Sequence, residues 1–141
     1  MGARSALDRT CDKYGCAKAF LDPKLHDFDD CFGGLIRMGD VDFSVERNGH
    51  ILWGEWKRGV DYASFEKTHY AQVRQAREFT ANSDRQTFVF VVGCPVAMNV
   101  ERFRYMRKGA WRGDWQDGGT DRFKSFLRLW CAVAESAGGA E

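Results

Sequence analysis

An Asn48-Gly49 dipeptide set between two alternating runs constrains this chain more than any other feature. Both central residues of a type I′ turn need positive φ, and Asn-Gly adopts that geometry with little strain, so the pair predicts a two-residue β-hairpin. Such a turn fixes the register: Arg47 faces His50, Val45 faces Leu52, Asp42 faces Glu55 and Asp40 faces Lys57. Side chains alternate along a strand, so Asp40, Asp42, Glu55 and Lys57 share one face. Directly opposed residues have Cβ atoms roughly 4.5–5.5 Å apart. Two carboxylates at that separation repel, and a divalent cation between them turns repulsion into ligation. Few, hard oxygen ligands with room for water and phosphate suit Mg²⁺ or Mn²⁺. Lys57 can hold or deprotonate a metal-side water. The same residues also fit the solvated face of an edge sheet. Trp53 and Ile51 share the parity of Glu55, so this face is not simply a wet one.

Around the hairpin the pattern predicts a helix over 5–20, stopped by Asp22-Pro23, and an acidic connector over 24–30. The hairpin strands run over 35–46 and 50–57, with Val41, Phe43 and Val45 on one face. Residues 65–80 read as a helix capped by Ser64. Its apolar stripe of Phe65, Ala76 and Phe79 also carries Gln72, and a glutamine turned toward a sheet needs polar partners. Residues 87–92 are β-branched and aromatic without polar relief, the signature of a strand buried on both faces. A second hairpin is expected over 100–115, turning at Lys108-Gly109. Thr120 caps a last helix with the stripe Phe123, Phe126, Leu127, Trp130 and Ala134. The order αββαβ, a β-rich insert and a final helix predicts an α/β (α+β) protein. It would be one domain over 1–141, a mixed β-sheet flanked by helices.

Twenty-one Lys and Arg against twenty Asp and Glu leave a formal charge of +1, so nucleic acid would have to be held by a local patch. No apolar run approaches the ~20 residues of a membrane helix. The first seven residues lack a secretory signal, which predicts a cytoplasmic protein without a membrane partner. Cys11, Cys16, His26 and Cys31 are zinc-compatible ligand types. Their spacing is looser than a zinc finger's, and residues 16–20 read as mid-helix. The thiols are therefore read as small core hydrophobes rather than a structural zinc site.

Asp42, then Glu55-Trp56-Lys57 on the next strand, then Gln72 in the following helix, together resemble the PD-(D/E)XK nuclease superfamily. The resemblance spans about residues 35 to 95. Within it, Gly39-Asp40-Val41-Asp42 stands where virus-type replication-repair nucleases and Holliday-junction resolvases carry their metal-binding aspartate. It implies a restriction-endonuclease-like αβββαβ core. Asp42, Glu55 and the Trp56 carbonyl would bind Mg²⁺ or Mn²⁺, with Asp40 as a further candidate. Lys57 would assist the attacking water and Gln72 would line the site. Val41 stands where the family's proline precedes the aspartate. The predicted first helix offers only Asp8 and Asp12 in place of the usual glutamate. The size and the Glu-Trp-Lys tripeptide look most like small phage-encoded members, which act on DNA in processing, repair or recombination. Many small nucleases of this fold form homodimers. The alternative is a protein that kept the nuclease fold, lost turnover and acts by binding, such as a phage inhibitor of a host nucleoprotein.

A nuclease also needs a phosphate track. Arg102, Arg104, Arg107, Lys108 and Arg112 stand against a single Glu101, interleaved with Phe103, Tyr105 and Trp111. Arginine pairs with phosphate oxygens and aromatics stack on unpaired bases. A solvated hairpin with its aromatics on the core fits the same pattern. Arg58, Arg74 and Arg77 add local positive charge. Parity places His50 on the face opposite Glu55, and His69 receives no role.

Overall fold

The computed structural model describes residues 41–139, with side chains described through 136. The chain divides into two compact units, and Asp42–Cys94 with Met98–Glu141 form the one that holds every strand and helix of the described residues. Strands β1 (Phe43–Arg47) and β2 (His50–Lys57) form the hairpin. Asn48 and Gly49 take φ of 53° and 82°, and the register runs from Phe43 opposite Gly54 to Arg47 opposite His50, as the turn dictates. Glu46 closes the turn, its carboxylate accepting from the Gly49 N–H at 2.8 Å. The expected strand over 35–46 is strand from Phe43 onward among the described residues.

A short 3₁₀ turn (Tyr62–Ser64) and helices α1 (Phe65–Thr68) and α2 (Tyr70–Ala81) lead to β3 (Gln86–Cys94). Strands β4 (Asn99–Arg107) and β5 (Ala110–Trp111) and helix α3 (Gly119–Gly139) complete the order. The sheet is mixed and runs β1-β2-β3-β4-β5. Only β2 and β3 are parallel, joined by the helical crossover that parallel strands require. β3 lies at the centre, and Thr87 through Val92 are all buried, so its unbroken apolar run has a physical cause. Each such Phe or Val removed from water contributes about 1.5–3 kcal/mol.

Alternation sorts the strands into two faces. Leu52, Val89, Val91, Val100 and Phe103 pack under α3, where Phe123 is buried and Phe126, Leu127 and Trp130 lie against the same core. The other face is a chain of rings beneath α2, in which Trp53 meets Phe79 at 5.3 Å, Phe79 meets Phe88 at 5.9 Å and Phe88 meets Phe90 at 5.1 Å. Gly54 is small because the Phe43 ring lies across it, in the space a Cβ would take. The second hairpin turns at Lys108-Gly109 (φ 53° and 75°), again as expected.

Three local expectations are corrected. The helix over 65–80 breaks at His69 (φ −111°, ψ 37°), although hydrogen bonds from His69 N to Phe65 O and from Val73 N to His69 O carry across the break. Ser64 makes no side-chain cap bond. The chain begins to coil earlier, so Asp61 takes that role by accepting from Ala63 N at 3.1 Å. Thr120 lies inside the first turn of α3, and its hydroxyl accepts from Val100 N at 3.0 Å, tying the helix to β4. The helix expected over 5–20, Cys11, Cys16, His26, Cys31 and Asp40 lie outside the described residues. Among the described residues no helix is long and apolar enough to cross a membrane.

Candidate active site

Alternation along β2 places Glu55 and Lys57 on the α2 face, and Asp42 lies just ahead of β1 beside them. Asp42 stands at a bend one position before β1, and its N–H donates to Gly54 O at 3.0 Å, the residue that Phe43 already faces, so the regular ladder ends one pair short of the expected Asp42–Glu55 pair. Its Oδ2 then accepts from the Trp56 N–H at 2.6 Å. The side chain thus takes a backbone donor that a longer strand would have satisfied, and it ends the ladder. Asp42 is exposed, whereas Glu55 is at 0% exposure. A carboxylate at that depth keeps its charge only beside cations or hydrogen-bond donors. Lys57 follows two residues on, half-buried, on the same face.

The rows of the sheet extend the site sideways. Glu55 is in register with Phe90 and Phe90 with Arg104, while Lys57 is in register with Val92 and Val92 with Arg102. Arg102 and Arg104 therefore share the face of Glu55 and Lys57. The Arg104 guanidinium lies 4.2 Å from the centre of the Trp111 ring, and its Nε donates to Gly113 O at 2.9 Å. Arg102 lies 4.8 Å from the centre of the Tyr62 ring. Sequence reading missed Tyr62 and Trp115, whose rings meet at 4.9 Å beside this row. Both sit outside the strands and long helices, where periodicity gives no signal. Tyr62 donates to Glu101 Oε1 at 2.8 Å. Its phenol is pushed up to about 12 by burial first, then by the hydrogen bond and the charge of Glu101, with Arg102 opposing.

The other candidates are placed less closely. Gln72 is half-buried near the start of α2, two turns ahead of Phe79 on the same stripe, and donates no hydrogen bond to Asp42 or Glu55 among the described residues. Arg58 is half-buried just past β2, and Arg74 is exposed on α2. The expected phosphate track divides. Arg107 has the parity of Phe103 and Tyr105 and lies on the α3 face, with a terminal nitrogen donating to Asp84 O at 3.3 Å. Lys108 sits in the turn and pairs with the Asp84 carboxylate at 3.5 Å. His50 lies on the α3 face, as its parity requires.

The donors fit a hard divalent ion in chemistry, being two carboxylates and a main-chain carbonyl. Among the described residues no group of three or more His, Cys, Asp or Glu side chains is gathered to hold a metal. Any such ion would rest on this smaller set, completed by water and substrate. No protein-family model, curated protein or solved structure matches the chain.

Proposed function

We propose that this domain is a Mg²⁺- or Mn²⁺-dependent deoxyribonuclease of the PD-(D/E)XK kind, hydrolysing phosphodiester bonds in phage-type DNA processing, repair or recombination. The observation that supports the reading is a fully buried Glu55 with Lys57 next along the same face of β2, and the Asp42 carboxylate on the amide of Trp56 between them. Asp42, Glu55 and the Trp56 carbonyl would hold the ion, Asp42 keeping Oδ2 on the Trp56 amide and offering Oδ1. When bound, the ion supplies polarisation of the scissile phosphate and a more acidic water. Lys57 donates to the attacking water and offsets charge developing on the phosphate oxygens. Gln72 lines the site. Arg102 and Arg104 hold the flanking phosphates on the same face, with Arg58 and Arg74 at its margins. A homodimer would bring one such site to each DNA strand.

A specific observation favours a second reading, a nuclease fold that acts by binding alone. The Asp42 carboxylate already has a structural task on the Trp56 amide, which it would keep without any metal. Plasmid nicking with and without Mg²⁺ or Mn²⁺ separates the two. Metal-dependent nicking that Glu55→Gln abolishes supports the nuclease. No cleavage by the wild type, together with no calorimetric Mn²⁺ site, leaves the binding protein.

A further inference from the structure

On the face away from Glu55, α3 and the strand ends enclose a cavity of about 70 Å³. Its two sides differ in kind. Phe126 and Trp130 make the helix side apolar, and Leu129 and Val133, exposed at 66% and 46%, lead out to water. Thr87, with His50 and Tyr105, lines it from the sheet. Thr87 has the parity of Val89 and Val91, so its side chain points to this face, and the residue is only 4% exposed. Among the described residues its hydroxyl has no hydrogen-bond partner, and it is not one of the unpartnered atoms sealed from solvent. The oxygen therefore keeps open surface, and the cavity is what Thr87 lines. The other buried threonine shows the contrast. Thr80 donates to Ala76 O at 3.0 Å and accepts from Gly109 N–H at 3.0 Å. A hydroxyl at the depth of Thr87 loses stability unless something pairs with it, so it calls for a partner from outside the chain. Arg107 also lines the cavity, but it turns a terminal nitrogen to Asp84 O at 3.3 Å and its Nε is sealed. An ion would exchange its water for one hydroxyl among apolar walls, so the group that fits Thr87 is uncharged. The walls set the rest of the shape: Tyr105 and Phe126 tilt together at 4.8 Å, with Trp130 beside them, which suits a flat body.

We propose that this cavity binds a small uncharged molecule of the phenol class, its single hydroxyl on Thr87 Oγ1 and its flat apolar body against Phe126 and Trp130. The proposal is independent of the nuclease reading, because none of these residues lies on the α2 face.

The test is an NMR titration of the isotope-labelled full chain with phenol, toluene and benzoate in separate arms. Phenol should give saturable shifts at the Thr87 amide and the Trp130 indole N–H. Toluene, which keeps the ring and lacks the hydroxyl, should bind at least about threefold more weakly, the worth of one hydrogen bond. Thr87→Val should bring phenol down to the affinity of toluene and leave toluene's own affinity unchanged. Toluene or benzoate binding the wild type as tightly as phenol overturns the proposal, and so does a Thr87→Val variant that keeps the advantage of phenol. The absence of saturable shifts overturns it too, since water alone would then satisfy the Thr87 hydroxyl. Should Thr87→Val fail to fold, the three wild-type arms decide the matter by themselves.

Discussion

Asp42 holds two tasks that one substitution can separate. In Asp42→Asn the side-chain oxygen still accepts from the Trp56 N–H, so stability without metal should change by no more than about 0.5 kcal/mol. The Mn²⁺-induced rise in Tm, which follows RT ln(1 + [L]/Kd), should vanish. Scanning calorimetry with and without Mn²⁺ reads both. A wild type that gains no stability from the ion would remove the metal site. Lys57 belongs to turnover rather than ligation. Lys57→Ala should slow single-turnover cleavage by about 10²–10⁴ while Mn²⁺ binding persists, and Lys57→Arg should not rescue it, since a planar fork cannot act as a compact point donor. Tyr62 makes a prediction about alkaline stability. Its folded value of about 12 lies above the ordinary 10.0, so the fold favours the neutral phenol. The stability this contributes is whole below pH 10 and is lost as pH climbs through 12. The phenolate absorbance difference between wild type and Tyr62→Phe should therefore have a midpoint well above 10, and a midpoint at 10 would show Tyr62 unburdened by Glu101.

At the scale of elements, the fit of Phe43 over Gly54 is the tightest constraint in the first hairpin. Gly54→Ala should lower stability by about 1–3 kcal/mol in urea unfolding, because the ring must leave its place against Trp56. Pairing it with Phe43→Leu should recover part of that loss, and strict additivity would show that the two sites do not touch. This hairpin was legible in advance because Asn-Gly sets the register and the register sets every facing pair. β3 was legible for a different reason, since a strand buried on both faces cannot carry polar relief. The break at His69 left no mark, because the apolar stripe and the helical hydrogen bonds both continue through it. Thr120 looked like a cap because a threonine before an apolar stripe usually is one. What recruits its hydroxyl is the Val100 N–H of a distant strand, which no local pattern displays. The division of the arginines is present in the strand parity. Positions 102 and 104 share a parity that 107 does not, and alternation rather than charge is the signal that separates them.

That division makes a prediction for the molecule as a whole. Arg102→Ala with Arg104→Ala should weaken DNA binding and reduce the slope of log affinity against log salt by up to about 2, each phosphate contact contributing roughly 0.9. Arg107→Ala should leave the slope unchanged, since it faces α3. An equal loss from Arg107→Ala would put the DNA on the other side of the sheet. The strand order carries one more consequence, for the time the chain takes to assemble. β1 with β2, and β3 with β4 and β5, are each antiparallel neighbours in sequence, whereas the parallel seam joins Leu52 to Thr87 across the whole helical crossover. Hairpins close in about 1–10 μs, while distant pairings must first overcome the entropy of a long loop. The sheet should thus form as two fast halves awaiting one slow junction. Substitutions in either turn should retard refolding, because the halves they close are already formed when the Leu52–Thr87 seam is made. Until that junction closes, the most apolar strand of the protein has one edge open, and dilute refolding is the condition under which it finds β2 before it finds another chain.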